Sequence, residues 1–294
     1  MYHSITQSRF DKNINAGGKH IDLVIFERQI KYLSKNKHVT KTIKETLNKN
    51  ILITFDDGFE NNYTNAYPLF KKYNIPFILF INTGLIDGKL IWTDELLKIS
   101  LTVSDFYEKT AEWFAYQNLE IKLPITYNSL RIYLKDISVS LRRKYLHDFR
   151  SEKQGALSNE YHELFTPLNW TQIKEMVNSG LCEVGAHTEN HPILSQLTYG
   201  EQYQEINTSI MKLENKLSRK IFLFAYPNGR NKDFNDDTMA ILKNLGINYA
   251  FTTESGKNNL RDHPYELHRY GITSNLPFWN FWVITNDYWQ KLRT

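Results

Sequence analysis

The sequence lacks the features that mark several specialised classes of protein. It has a single cysteine, Cys182, so no disulfide can form within the chain. Its longest internal apolar run, IPFILFI, is too short to cross a bilayer, and the N-terminal MYHSITQSRF has no signal-peptide core. Lys and Arg number 36 against 32 Asp and Glu, with no basic block, which argues against nucleic acid as a partner. These absences predict a cytoplasmic protein, unless a leader has been removed ahead of this sequence.

What the sequence does contain is an alternation of short apolar runs with amphipathic stretches. The 294 residues are 41% hydrophobic, enough for a large core. The runs ILITF, PFILFI, CEVGAH, IFLFAY and YAFTT are apolar almost throughout, as strands buried on both faces are. Separated by helical patterns, they predict a parallel sheet covered by helices, and six or seven such units favour a barrel over an open sheet.

The helical patterns suggest one domain over 1–294 with two additions. Asp22 is a candidate N-cap for the helix VIFERQIKYLSKN, and Gly180 follows the end of another, TQIKEMVNSG. The alternation lapses at about 100–165, which predicts a helical insertion over one rim. A further helix is predicted at about 277–292, packed against the barrel or in peripheral contact with a membrane through its aromatic side chains.

Two adjacent carboxylates follow the strand-like run ILITF. Loops after the carboxyl ends of parallel strands build the active sites of such folds, and Asp56 and Asp57 lie at that point. Successive residues leaving a strand point in different directions, so one carboxylate can bind a cation while the other stays free. The alternative is an ordinary Asp-Gly turn at Gly58.

Two histidines occupy the equivalent position after CEVGA. His187 and His191 are four residues apart, a spacing that brings two imidazoles to one side of a helical turn. With nine histidines in the chain this pair is weak by itself. Together with one carboxylate it predicts a divalent metal site, with Zn²⁺ as the first choice and Co²⁺ or Ni²⁺ as alternatives.

A third polar element follows IFLFA. Tyr226, Pro227 and Asn228 form a predicted rigid turn whose backbone N–H groups could stabilise an oxyanion. The alternative is a turn with no role beyond connecting two elements.

The motifs TFDDG, HTENH and FAYPNG, in this order, resemble those of the polysaccharide deacetylases of carbohydrate esterase family 4, the NodB-homology fold. The pair Tyr2-His3, the stretch NWTQIKEMVNSGLCEVGAHT and the late ELHRYGI add to the resemblance, which covers nearly the whole chain outside the insertion. It implies a distorted (β/α)7-type barrel and metal-dependent N-deacetylation of N-acetylated amino sugars.

The resemblance also implies roles for individual residues. Asp57, His187 and His191 match the family's metal ligands, and Asp56 matches its general base. The metal would polarise the acetamide carbonyl, Asp56 would take a proton from the attacking water, and the oxyanion would lie against the Tyr226–Asn228 turn.

The sequence departs from the family pattern in its third motif. The family usually has an arginine there that orients the base, and the matching position is Ala225. Arg269 is a candidate replacement, and His268 is a candidate general acid. Neighbours in a strand face opposite sides, so only one of the two is expected to face the site. If Arg269 does, His3, Asp94 or water would be the acid.

The segment IWTDELL resembles one that lies near the substrate mouth in related deacetylases. Trp92 and Asp94, with His3, are therefore predicted to contact substrate, against the alternative that Thr93 or Asp94 simply caps a helix.

Three other functions compete with deacetylation. A magnesium-dependent phosphotransferase would separate its two acids by one residue and leave the histidines unexplained. A zinc protease would have Glu directly after the first histidine. A non-catalytic metal- and carbohydrate-binding relative is favoured by Ala225 and disfavoured by the retained Asp56. The predicted substrate is a surface polysaccharide or its lipid- or nucleotide-linked precursor.

Overall fold

The computed structural model describes residues 1–43, 50–259 and 261–286, and its core is a curled parallel sheet. The strands are β1 (Ser4–Thr6), β2 (His20–Asp22), β3 (Val39–Thr40), β4 (Ile51–Leu52), β5 (Thr54–Phe55), β6 (Phe77–Ile81), β7 (Cys182–Ala186), β8 (Leu223–Ala225) and β9 (Tyr249–Phe251). The main sheet has the order β5-β6-β7-β8-β9, and all its pairings are parallel. The pairs β1-β2 and β3-β4 are also parallel.

The two edges of the main sheet are joined through the first residues of the chain and the segment 267–272. Tyr2 pairs in parallel with β5, and Leu267 pairs in parallel with β9. Between them, the amide of Ile272 donates to the carbonyl of Met1 at 2.9 Å. These contacts complete a ring of extended segments, as the predicted distorted barrel requires.

Helices connect the strands on the outside of this ring. They are α1 (Leu23–Asn36), α2 (Tyr67–Tyr73), α3 (Thr83–Ile86), α4 (Trp92–Thr102), α5 (Phe106–Tyr116), α6 (Tyr127–Asp136), α7 (Val139–Arg150), α8 (Trp170–Asn178), α9 (Tyr199–Leu217), α10 (Asp236–Asn244) and α11 (Phe278–Thr285). A π-helix over Asn62–Ala66 leads into α2, and short 3₁₀ helices lie at Asn159–Leu164 and Leu194–Gln196.

A local sequence signal explains where α1 begins. The Asp22 carboxylate accepts hydrogen bonds from the amides of Val24 and Ile25, so the predicted N-cap of α1 is confirmed. The predicted strand ILITF is interrupted at Ile53, where the chain passes from the pair β3-β4 to the main sheet. The sheet packs against the surrounding helices in one large hydrophobic core, and other strand residues, including Ile78, Phe80 and Phe251, form a smaller cluster of their own.

The helices α4 to α7 follow one another between β6 and β7 and have a hydrophobic cluster of their own. Its buried members include Leu96, Phe114, Leu130 and Tyr145. This helical region therefore has a separate core beside the barrel. Near the C-terminus, α11 lies within the predicted range, whose residues beyond Asn286 lie outside the described part of the chain. None of the described helices has the length and apolar character needed to cross a bilayer.

Candidate active site and metal centre

Two carboxylates leave the carboxyl end of β5, where the ends of the parallel strands meet. Asp56 and Asp57 are both buried. Asp57 has a φ of 76° and Gly58 a φ of 103°, so the chain turns sharply in the left-handed region directly after Asp56. As a result the two side chains have different partners: Asp56 contacts Arg269, and Asp57 lies beside two histidines.

Those histidines follow β7 and are fixed by their own loop. Nδ1 of His187 lies 2.7 Å from the carbonyl of Ala225, which can only accept, so Nδ1 donates, and in the neutral ring Nε2 keeps its lone pair. Thr188 and His191 have φ values of 62° and 53°, and the Thr188 hydroxyl accepts from the His191 amide at 3.1 Å. A β-branched residue in this region is strained and persists where its surroundings hold it, as at functional sites.

Asp57, His187 and His191 form a cluster that could hold a metal ion, with all their ligand atoms within 4.8 Å of one another. Asp57 Oδ1 lies 3.6 Å from Nε2 of His187 and 3.5 Å from Nε2 of His191. Two ligands about 2.1 Å from a tetrahedral zinc ion are about 3.4 Å apart, so these separations fit a shared cation. The same oxygen is buried and has no hydrogen-bond partner among the described residues.

The electrostatics of the cluster also suit a cation. Burial, with His187 nearby, lowers the pKa of His191 to about 3, so its imidazole is neutral, the form that binds metals. Burial by itself would raise the pKa of Asp57, but the surrounding histidines outweigh it and hold that pKa well below the usual range. A neutral imidazole and an ionised carboxylate are therefore in place before any ion binds.

Asp56 forms a bidentate ion pair with Arg269. Its two oxygens lie 2.6 and 2.8 Å from the two terminal nitrogens of the guanidinium, and both side chains are buried. The Arg269 Nε donates to the carbonyl of Thr252 at 2.9 Å, which fixes the plane of the fork. The guanidinium that contacts Asp56 thus comes from Arg269 in the segment 267–272. Position 225, where the motif would have an arginine, is an alanine and cannot supply it.

His268 is not part of this arrangement. Its side chain is exposed, and its amide donates to Asn258 at 2.7 Å. Because Arg269 points inward, the alternation of an extended segment turns His268 outward. The structure therefore places His268 away from Asp56 and Asp57, which does not support its predicted role as the general acid.

The Tyr226–Asn228 turn follows β8 and offers one of the predicted oxyanion donors. The Tyr226 amide is already bound to the carbonyl of Phe251 at 3.1 Å, and its ring is buried. Pro227 has no N–H. Asn228 has a φ of 60°, and its amide has no hydrogen-bond partner within the described residues. Of the three, only Asn228 can supply the backbone N–H.

His3 enters the site from the opposite side of β5. The amide of Asp56 donates to the carbonyl of Tyr2 at 3.0 Å, which puts His3 next to the pair of carboxylates in the parallel register. Burial lowers the pKa of His3, while the charges of Asp57 and Asp56 raise it in part. Of the candidate acids, His3 is the histidine that the structure brings to the site.

Trp92 and Asp94 lie in the first turn of α4 and are both buried. No side chain caps this helix, so the capping alternative does not apply. Asp94 Oδ1 instead forms an ion pair with Lys19, and Asp94 Oδ2 and Trp92 Nε1 have no hydrogen-bond partner among the described residues. Burial and the nearby charge of Asp57 raise the pKa of Asp94, while Lys19 opposes the shift, so this pair lies within electrostatic reach of the cluster.

Sequence reasoning missed two residues that support the site. Asn82 lies directly after β6, and its amide nitrogen is 3.3 Å from the carbonyls of both His187 and Thr188. The position of Asn82 at a strand end is the signal that would have found it. Lys19 has no such signal, because it reaches Asp94 only through the tertiary structure.

Relatives of known name resemble most of the chain. The Bacillus subtilis (strain 168) protein YxkH is 23% identical over 286 residues, which cover 94% of this chain and 71% of YxkH. A Staphylococcus aureus (strain MRSA252) poly-beta-1,6-N-acetyl-D-glucosamine N-deacetylase is 24% identical over 267 residues, covering 85% of this chain and 67% of the relative.

Solved structures share the fold at low sequence identity. The Streptococcus pyogenes deacetylase PplD in complex with acetate superposes with a TM-score of 0.64 at 20% identity, covering 97% of this chain and 96% of PplD. IcaB from Ammonifex degensii gives a TM-score of 0.59 at 21% identity, covering 97% and 96%. These superpositions confirm the predicted NodB-type fold. The family model described as polysaccharide deacetylase matches residues 43–250, more than half of the sequence, and the chain therefore belongs to the polysaccharide deacetylase family.

Proposed function

We propose that this protein is a metal-dependent hydrolase that removes the N-acetyl group from an N-acetylated amino sugar. The observation that carries the proposal is the separation of two functions at the end of β5. Asp57 lies with His187 and His191 in a cluster suited to a metal, while Asp56 is held apart from it by Arg269.

In this proposal Asp57, His187 and His191 hold one divalent metal ion, Zn²⁺ by the chemistry of its ligands, with Co²⁺ or Ni²⁺ as alternatives. When bound, the ion supplies Lewis-acid polarisation of the acetamide carbonyl and lowers the pKa of a water molecule. His187 is kept in the binding tautomer by its hydrogen bond to the carbonyl of Ala225.

Asp56 acts as the general base. Burial would raise its pKa, but Arg269 and His187 outweigh this effect and hold the pKa below its ordinary value, so the carboxylate is ionised and ready to accept a proton. The bidentate contact with Arg269 also fixes its orientation toward the attacking water. The Asn228 N–H donates to the oxyanion as it forms.

The departing amine must leave protonated, and we assign His3 as the proton donor. Its carbonyl accepts from the Asn62 side chain at 2.8 Å, which fixes its backbone beside Asp56 and Asp57. To act as the acid, His3 must first take up a proton, which the charges of Asp57 and Asp56 favour and burial opposes. The protonated imidazole can then protonate the nitrogen while Asp56 removes a proton from water.

The substrate proposed here is a glycan of the bacterial surface, or its lipid- or nucleotide-linked precursor. The support is the family to which the chain belongs and the deacetylase name of the Staphylococcus aureus relative. The buried Trp92 and Asp94, with unpartnered polar atoms, are assigned to the sugar.

Acetate release tests this proposal. The metal-reconstituted protein is expected to release acetate from N-acetylglucosamine polymers or precursors, and Asp56→Asn is expected to lower kcat by about 10²- to 10⁴-fold, because it removes the base. Asp237→Asn, a matched change at an exposed position, is the control. A protein that binds metal and sugar but releases no acetate from any of these glycans would instead be a non-catalytic relative.

A further inference from the structure

Two cations on α6 lie between the segment that leads into β2 and the loops that follow β7 and β8. Arg131 and Lys135 are four residues apart, so both project from the same face of the helix, and both are half-buried. Two like charges at this spacing destabilise a helix by a few tenths of a kcal/mol, so local helix stability does not explain them.

The Arg131 end of α6 lies against the segment that leads into β2. A Cβ placed on Gly17 would be 3.7 Å from a terminal nitrogen of Arg131. Two residues later, Lys19 forms its ion pair with the buried Asp94. Arg131 is therefore next to the pair assigned to the sugar, and its charge acts on Asp94.

The Lys135 end of α6 lies against the loops that follow β7 and β8. The Gln196 side chain, five residues after His191, donates to the carbonyl of Lys135 at 2.8 Å. Lys232, on the loop after β8, forms an ion pair with Asp136 at 3.1 Å. These contacts hold α6 across the loops that carry the metal ligand His191 and the oxyanion turn.

The charges on this face are not compensated. Within the described residues, neither Arg131 nor Lys135 has an ion-pair partner, and nor does Arg230 nearby. Arg131 Nη2 donates to the neutral Asn128 side chain at 2.8 Å, and the buried Arg131 Nε has no hydrogen-bond partner among the described residues. The acids around them are already engaged, since Asp94 is paired with Lys19 and Asp136 with Lys232. A buried acid, Asp233, acts on Lys135 electrostatically but accepts its hydrogen bond from the Arg230 amide.

We propose that Arg131 and Lys135 bind an anionic group, a phosphate or a carboxylate, that the substrate carries next to the N-acetylated sugar. This inference rests on the proposed function and names a property of its substrate. The planar guanidinium binds either anion through two parallel hydrogen bonds, and the ammonium adds a second positive charge. Burial and the neighbouring cations lower the pKa of Lys135 to about 8, and a bound anion would offset both effects.

Matched trimers of N-acetylglucosamine test this assignment. One trimer is neutral. The other two carry a phosphate or a carboxylate on the sugar next to the one that is to be deacetylated. Their equilibrium binding is measured by calorimetry in an Asp56→Asn background, where substrate is not consumed, and kcat/KM is measured with Asp56 restored. The variants are Arg131→Gln combined with Lys135→Gln, and the control Arg143→Gln on α7, an exposed arginine with no ion-pair partner among the described residues.

We expect the anionic trimers to bind more tightly than the neutral one. The double variant should lower the ratio of anionic to neutral affinity by about tenfold, the effect of losing one or two charge-assisted hydrogen bonds. Arg143→Gln should leave the ratio unchanged, and added salt should reduce it. A preference for only the phosphate or only the carboxylate trimer would support the assignment and identify the source of the anion.

An equal ratio in the parent, the double variant and Arg143→Gln would overturn the assignment, and acetate release in that case would leave the proposed function standing. Failure of the proposed function would give a different pair of results. If no trimer releases acetate while the anionic trimer still depends on Arg131 and Lys135 for binding, the proposed function fails and the anion site stands.

Discussion

At the scale of single residues, the two hydrogen bonds from Arg269 to Asp56 hold the candidate base in position beside the candidate metal ligands. Asp56 and Asp57 are adjacent in the chain, so the motif TFDDG is enough to identify both as candidate site residues. Arg269 is 213 residues away, and its role emerges only when the segment 267–272 joins the ring beside Met1. The alternation rule limited the choice to His268 or Arg269, but the register that selects Arg269 depends on that distant pairing.

Removing Arg269 should cost both stability and activity. Arg269→Gln would leave the Asp56 carboxylate buried without its counter-charge, and breaking a buried pair in this way costs about 3–5 kcal/mol of unfolding free energy. Activity should fall as well, because the base loses its orientation. Arg269→Lys should recover only part of either loss, since a lysine cannot reproduce the bidentate contact. Urea denaturation and acetate release measure the two effects.

A double-variant cycle gives the control for this prediction. With Arg269→Gln present, adding Asp56→Asn removes the unpaired charge and should restore part of the lost stability. If the two changes instead add independently, the ion pair does not contribute in the way described here.

Among the secondary-structure elements, helix starts could be predicted and the position of the helical region could not. Asp22 caps α1 through its own neighbours in sequence, so the signal is local. The contacts that place α6, such as the one between Gln196 and Lys135, span 61 residues and leave no pattern in the sequence. The lapse in strand–helix alternation predicted helices there, but neither their separate core nor their charged face.

The cap of α1 gives a pH-dependent prediction. Burial would raise the pKa of Asp22, but the Arg9 side chain at 2.8 Å and the amides of Val24 and Ile25 hold it below its ordinary value. A carboxyl whose pKa is lower in the folded than in the unfolded state stabilises the fold above about pH 3.9, and this contribution disappears as the pH falls through the folded pKa.

Asp22→Ala should therefore lower the free energy of unfolding by about 1 kcal/mol near neutral pH, and the difference from the parent protein should shrink below about pH 4. Asp22→Asn keeps an acceptor for the helix amides, so its free energy of unfolding should lie between those of Asp22→Ala and the parent protein. Urea denaturation across this pH range measures the effect. A difference that is the same at neutral and acid pH would show that the charge of Asp22 does not stabilise α1.

For the whole molecule, the parallel sheet was predictable because the runs that form its strands are apolar almost throughout. The closing of the ring was not, because it depends on Tyr2 and the segment 267–272 meeting at the edges of the main sheet. That closure brings together four parts of the site: His3 from the residues just before β1, the carboxylates after β5, the histidines after β7 and Arg269 from the segment 267–272. The site is therefore a property of the complete ring.

The central claim is that Asp56 and Asp57 have separate functions, and metal content tests it most directly. After zinc loading and dialysis, the parent protein and Asp56→Asn should each retain about one equivalent of metal, as expected for a site with three protein ligands. Asp57→Asn should retain much less, because it removes the anionic ligand. Loss of metal from Asp56→Asn, or full retention by Asp57→Asn, would contradict the account.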